Sequence, residues 1–169
     1  YISTGMQKNK FGVSMTEARA LYRECRRLPN IDVVGVSCHI GSQITQMAPF
    51  EEALASIRQF VLDLKADGVE LKYLDFGGGL GIPYDQEEPP SPAIYAAAVA
   101  RAADGLGLTV ILEPGRVIAG NAGILLTRVI LKKNQGPKRF LVVDAGMNDL
   151  IRPALYKSHH QIWPVRAES

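Results

Sequence analysis

Three clusters of residues in this chain are suited to chemistry, and each closes a short apolar run that reads as a buried strand. They are His39-Ile40-Gly41-Ser42-Gln43, then Leu74-Asp75-Phe76-Gly77-Gly78-Gly79-Leu80-Gly81, then Glu113-Pro114-Gly115-Arg116. Glycines at strand ends allow positive φ and leave no Cβ between the backbone and a ligand. Successive N–H groups in such a bend form a nest for an anion. Ser42 adds a hydroxyl, His39 an aromatic face and Glu113 a carboxylate. Together they suggest a site for a phosphorylated ligand.

Each residue also has a plainer reading. A lone histidine at a strand end is commonly buried and hydrogen-bonded for structure. Beside Gly41-Ser42 and the two other loops, the binding reading prevails for His39. Asp75 is expected to cap the glycine turn through its own side chain and not to touch a ligand. Arg152 taken alone would be a surface ion-pair partner. His159-His160 suggest no metal, because neighbours on a strand face opposite ways.

These residues need a scaffold, and the chain supplies strand and helix in alternation. Ser14-Met15-Thr16-Glu17 is a capping-box pattern opening a helix with Ala18, Leu21, Cys25 and Leu28 on one face. A strand is expected over 31–40. A helix follows from Pro49, with Phe50, Leu54, Ile57, Val61 and Leu64 at helical spacing and Gly68 closing it. Another strand spans 71–76, a helix runs over about 93–106, and a strand over 109–112. That grammar implies a parallel sheet covered by helices through right-handed crossovers. After Arg116 it changes: 124–131, 139–143 and 161–165 read as strands without intervening helices. The expected organisation is an α/β domain over 1–119 and the start of a β-rich domain over 120–169.

Composition excludes several classes. With 169 residues, 47% hydrophobic and 21% charged, the chain has the make-up of a globular protein with a sizeable core. A net charge of +2 gives no argument for nucleic acid. The cluster Arg23, Arg26 and Arg27 reads as a solvated helix face. No apolar run reaches the length of a membrane span. Cys25 and Cys38 offer no disulfide framework or metal spacing and read as small buried hydrophobes. The cytoplasm is the expected compartment.

A doubly wound sheet and a (β/α)8 barrel both fit the grammar, so the loops decide. Counted from Gly77, the sixth position of a dinucleotide fingerprint is Ile82, and Pro83 follows where a helix should open. No Gly-Lys pair follows any glycine cluster, so a P-loop fails as well. Three successive strands ending in ligand-type residues suit a barrel, whose sites gather at the C-terminal strand ends.

The needs met here are those of pyridoxal 5'-phosphate: a flat face for the ring, anchors for the phosphate and an acid for the pyridine nitrogen. The chain resembles the fold-type III pyridoxal-phosphate decarboxylases, whose barrel is of the alanine racemase type. The resemblance rests on Asn9-Lys10-Phe11-Gly12, the three loops above, and the string from Asp144 to Tyr156, which is the most specific. Within the family it points to members that decarboxylate meso-2,6-diaminopimelate to L-lysine and carbon dioxide.

The resemblance implies that His39 stacks on the cofactor ring and Glu113 pairs with its nitrogen. It implies that Ser42 and the backbone of Gly77, Gly78, Gly79, Gly115 and Arg116 hold the phosphate. Arg116, Arg152 and Tyr156 would hold the substrate's distal carboxylate, and a guanidinium fork suits that task. No metal is implied, and a homodimer is. Lys10 matches the family's Lys-Phe-Gly segment and not its Schiff-base lysine. That lysine and the family's Cys-Glu-Ser segment have no match here. An eight-stranded barrel takes about 250 residues, so the chain is expected to be an internal fragment, inactive alone. The competing readings are a decarboxylase of ornithine, arginine or a carboxylated polyamine, and a non-catalytic regulator of the same fold.

Overall fold

A computed structural model describes residues 12–166. Asn9, Lys10 and Phe11, which carried part of the resemblance, lie outside the described residues. The chain divides into two compact units: residues 12–82 with 88–121, and residues 83–87 with 122–166.

The first unit follows the expected alternation: α1 (Met15–Cys25), β1 (Gly35–Ser37), α2 (Met47–Ala66), β2 (Tyr73–Asp75), α3 (Pro92–Ala103), β3 (Thr109–Ile111) and the short α4 (Arg116–Ala119). The strands pair in parallel in the order β1-β2-β3, with Val36 opposite Leu74 and Leu74 opposite Val110. Paired strand is shorter than the apolar runs suggested. β-branched composition marks extended, half-buried chain, but a ladder also needs a neighbour in register. Here the three strands overlap over three residues each.

The helices start where their chemistry says. Ser14 Oγ accepts from the Glu17 N–H at 3.2 Å, and Glu17 Oε2 accepts from the Ser14 N–H at 3.2 Å, closing the capping box. α2 begins two residues before Pro49, because proline is tolerated in a first turn whose N–H groups have no intrahelical partner. It ends with Val69 N–H donating to Leu64 O at 2.9 Å and Gly68 at φ 77, the left-handed turn that glycine permits. Arg58 of α2 donates to the carbonyls of Ala102 and Asp104, ending α3.

The core lies between α2, α3 and the sheet. Leu64, Leu74, Leu106 and Val61 are fully buried there, with Phe50 packed against Tyr95 at a ring separation of 4.8 Å. Burying each such side chain stabilises the fold by roughly 1.5–3 kcal/mol. This core holds β2 rigid directly beneath the glycine loop.

The second unit contains a hairpin of β4 (Val129–Gln135) and β5 (Lys138–Val143) and a single-turn helix, α5 (Arg152–Tyr156). Gln135 pairs with Lys138 across a two-residue turn, and Gly136 at φ 58 takes the first central position, as a type II′ turn requires. The expected strand over 161–165 is absent: these residues form no ladder with another strand among the described residues, and Ile162 and Trp163 are 94% and 78% exposed. Only 129–131 of the apolar stretch 124–131 is strand. Among the described residues no helix is long and apolar enough to cross a membrane.

Candidate active site

The C-terminal ends of β1, β2 and β3 converge on the glycine loop. Beyond the paired residues, Cys38 N–H donates to Asp75 O at 3.0 Å and Phe76 N–H to Ile111 O at 3.1 Å. Glu113 N–H then donates to Gly77 O at 2.8 Å, and Ile44 N–H to Gly79 O at 2.9 Å. The bend at residues 77–79 is thus bonded on one side to the loop after β1 and on the other to the loop after β3.

Glycine is required at these positions by close packing of backbone. A Cβ at Gly77 would overlap the carbonyl oxygen of Cys38, one at Gly78 that of Glu113, and one at Gly79 that of Gly41. Gly77 and Gly79 also sit at φ 67 and φ 110. Asp75 plays the capping part expected of it: its Oδ1 accepts the Gly77 N–H at 2.8 Å, and its Oδ2 accepts from Ser37 Oγ at 3.2 Å.

The same bend orients His39, whose Nδ1 accepts the Gly78 N–H at 3.4 Å. Glu113 is exposed at the end of β3, its backbone fixed by the bond to Gly77. Beside it, a Cβ on Gly115 would meet nothing within 4 Å. Gly115 is therefore open where Gly77–Gly79 are closed, and its backbone is accessible to an anion. Burial pushes the neighbouring Cys38 thiol up to about 11, with the Asp75 charge adding to the shift, so Cys38 is an inert thiol here.

Gln43 is a residue whose part sequence reasoning missed. At φ 59, it turns its carboxamide onto the backbone of Ile82, giving Nε2–H to Ile82 O and accepting the Ile82 N–H at 3.2 Å. Its Oε1 also accepts from Arg116 Nη1 at 3.1 Å. Gln43 therefore ties the loop after β1 to the loop after β2 and to a guanidinium after β3. The available signal was its place directly after Gly41-Ser42, one residue beyond those given a role.

Arg152 and Tyr156 stand one turn apart on α5, in the second unit. The guanidinium carbon of Arg152 lies 5.3 Å from the centroid of Tyr156 and 5.8 Å from that of Tyr84. His159 and His160 are not on a strand, as they were expected to be. His159 Nε2 lies 4.0 Å from Asp85 Oδ1, and the His160 ring packs on Tyr84 at 5.6 Å. Among the described residues no cluster of acidic, histidine or cysteine side chains is placed to hold a metal.

Pyridoxal phosphate makes three demands, and the first unit's residues fit it. The imidazole of His39 offers a face, the open backbone at Gly115 offers an anion donor, and Glu113 offers the acid; the N–H groups of Gly77 and Gly78, expected to hold the phosphate, are instead taken by Asp75 and His39. A parallel α/β sheet with such a set at its strand ends defines the class of enzymes that hold this cofactor in a barrel.

The chain belongs to the pyridoxal-dependent decarboxylases: residues 1–120 match that family's pyridoxal-binding domain. It is 47% identical over 169 residues to the diaminopimelate decarboxylase of Aquifex aeolicus, covering 99% of this chain and 40% of that one. It is 48% identical over 167 residues to the diaminopimelate decarboxylase of Vibrio cholerae, covering 98% and 40%. The crystal structure of diaminopimelate decarboxylase from Helicobacter pylori complexed with L-lysine superposes with a TM-score of 0.91 at 42% identity, covering 95% of this chain and 40% of that one. The chain thus spans about 40% of the length of the curated relatives it matches.

Proposed function

We propose that this chain is the part of a diaminopimelate decarboxylase that grips the cofactor's ring and phosphate, together with the beginning of its β-rich domain. The whole enzyme would act on meso-2,6-diaminopimelate, giving L-lysine and carbon dioxide. One observation supports this reading above the others. The bend at Gly77–Gly79 bonds at once to the loop bearing His39 and to the loop bearing Glu113.

When bound, pyridoxal phosphate supplies an electron sink for the pair released as carbon dioxide leaves. With the cofactor bound, His39, held at Nδ1 by the Gly78 N–H, would offer its ring as a stacking face. Glu113 would then accept a hydrogen bond from the pyridine nitrogen and keep the proton there, which would favour the sink. Gly115 would present its N–H to the phosphate and Ser42 its hydroxyl, while the glycine bend, whose Gly77 and Gly78 N–H groups are held by Asp75 and His39, sets the loops that carry them. Arg116, steadied by Gln43, and Arg152 with Tyr156 take the carboxylate at the substrate's far end. A substrate lacking that carboxylate would forgo these guanidinium contacts, and selectivity follows from that loss.

In this reading the working form is a cytoplasmic homodimer, and the domains divide near residue 120. The test is an assay of the full-length protein with added cofactor against meso-diaminopimelate, ornithine, arginine and a carboxylated polyamine. Carbon dioxide release from diaminopimelate alone is expected. Turnover of ornithine without diaminopimelate would overturn the substrate. Failure to take up cofactor would revive the non-catalytic regulator.

A further inference from the structure

We propose that Tyr84 is a positioning residue for Arg152, packing on its guanidinium together with Tyr156 so that the group is held for a substrate carboxylate. This rests on the reading of Arg152 given above and adds a residue to it. Both ring centroids lie within the 6 Å range of a cation–π contact, at 5.8 Å and 5.3 Å from the guanidinium carbon. Two rings that occupy a guanidinium leave its edge for hydrogen bonding, and a carboxylate is taken bidentately along that edge.

Tyr84 is itself firmly held. Glu87 Oε2 accepts the N–H groups of Tyr84 at 2.9 Å and of Asp85 at 2.7 Å, turning residues 84–87 back on themselves. Those backbone bonds keep the Glu87 carboxyl below the usual carboxylate range, with His159 contributing last. The His160 ring packs on the ring of Tyr84 at 5.6 Å, and Asp85 lies 4.0 Å from His159. The segment 83–87 belongs to the second unit through these contacts, although it directly follows the glycine loop in sequence.

Arg152 shows why a clamp is needed. Nη2 reaches Ser158 Oγ at a long 3.4 Å, and Nε is buried without a hydrogen-bond partner. A buried donor left unpaired is unfavourable. An arginine serving structure alone would turn to satisfy it, and the two tyrosines hold this one where it stands.

Steady-state kinetics of the full-length holoenzyme on meso-diaminopimelate tests the assignment. Tyr84→Leu is expected to raise KM about tenfold, equivalent to about 1.4 kcal/mol of binding. The variant should keep kcat within about twofold and an unchanged absorption band of the bound cofactor. Tyr84→Phe should restore KM to within about twofold, because the ring face and not the hydroxyl does the holding. Combining Tyr84→Leu with Arg152→Ala should raise KM no further than Arg152→Ala alone.

An unchanged KM in Tyr84→Leu, with Arg152→Ala still raising it, overturns the clamp and leaves the role of Arg152 standing. An unchanged KM in Arg152→Ala overturns the underlying reading instead. Additive effects in the double variant, or failure of phenylalanine to rescue, also overturn the clamp. Should Tyr84→Leu lose its cofactor band or its thermal transition, His160→Leu decides: a KM rise of about threefold supports the clamp and no rise overturns it.

Discussion

Arg116 Nη1 donates to Gln43 Oε1 at 3.1 Å, while the same carboxamide is engaged with both the N–H and the carbonyl of Ile82. A flexible guanidinium after β3 is thereby referred to the rigid frame of the loops after β1 and β2. The backbone of Arg116 and its side chain have separate tasks in the proposed mechanism, and Gln43 touches only the second. Gln43→Ala is therefore expected to raise KM for meso-diaminopimelate about tenfold, the loss expected for a hydrogen bond to a charged group. The dissociation constant for pyridoxal phosphate should stay within about twofold, since the Gln43 side chain is none of the groups proposed to hold the phosphate. Steady-state kinetics and a cofactor titration of the full-length variant check the two separately.

Glu113 carries its burden through its side chain and its architecture through its backbone. The N–H donates to Gly77 O at 2.8 Å regardless of what the side chain is, and the side chain is exposed. Glu113→Gln should fold and melt like the parent but lower kcat by about a hundredfold or more, the usual loss on removing one well-aimed electrostatic partner. A kcat at the parent level, with circular dichroism unchanged, would remove Glu113 from the mechanism.

Two glycines separate structural from ligand-facing need. A methyl on Gly78 meets the Glu113 carbonyl oxygen, whereas one on Gly115 meets nothing within 4 Å. Gly78→Ala is expected to destabilise the cofactor-free protein by about 1–3 kcal/mol, as overpacking typically does. Gly115→Ala should leave the melting temperature of the cofactor-free protein unchanged and weaken cofactor binding, because in the proposed reading the methyl enters the space of the phosphate. Thermal melts with and without pyridoxal phosphate distinguish the two effects.

The parts of this architecture that sequence revealed are those encoded locally. The Ser14–Glu17 capping box, the periodicity of Phe50 to Leu64 and the left-handed turn at Gly68 each depend on near neighbours in the chain. What escaped depends on partners far away. α5 has five residues and no side-chain cap, so no periodic signal marked it. The expected strand at 161–165 has suitable composition, but strands form by pairing, and these residues form no ladder with another strand among the described residues. Tyr84 lies between the glycine loop and α3 in a segment without helical or strand periodicity, and its contacts with Arg152 and His160 come from residues remote in sequence.

The junction between α1 and α2 gives a prediction about acid stability. Asp67 caps the C-terminus of α2, where a negative charge faces the helix dipole unfavourably. Arg19 meets it through Nε at 2.7 Å and Nη2 at 3.0 Å, and Arg23 through Nε at 3.1 Å and Nη2 at 2.9 Å. These hydrogen bonds, Arg19 first, hold the Asp67 carboxyl well below the usual carboxylate range. A folded-state value depressed below the unfolded one of about 3.9 means that the pair's stabilisation is fully present above that pH. It is lost progressively as pH falls below it, toward the depressed folded value. Asp67→Asn should thus lower the melting temperature at neutral pH, and the gap from the parent should narrow steadily below about pH 4. Added salt should narrow it at neutral pH too, since both arginines are partly exposed. Melts of the full-length protein across that range check the claim, and a gap that widened on acidification would show that Asp67 is not stabilised as its carboxylate.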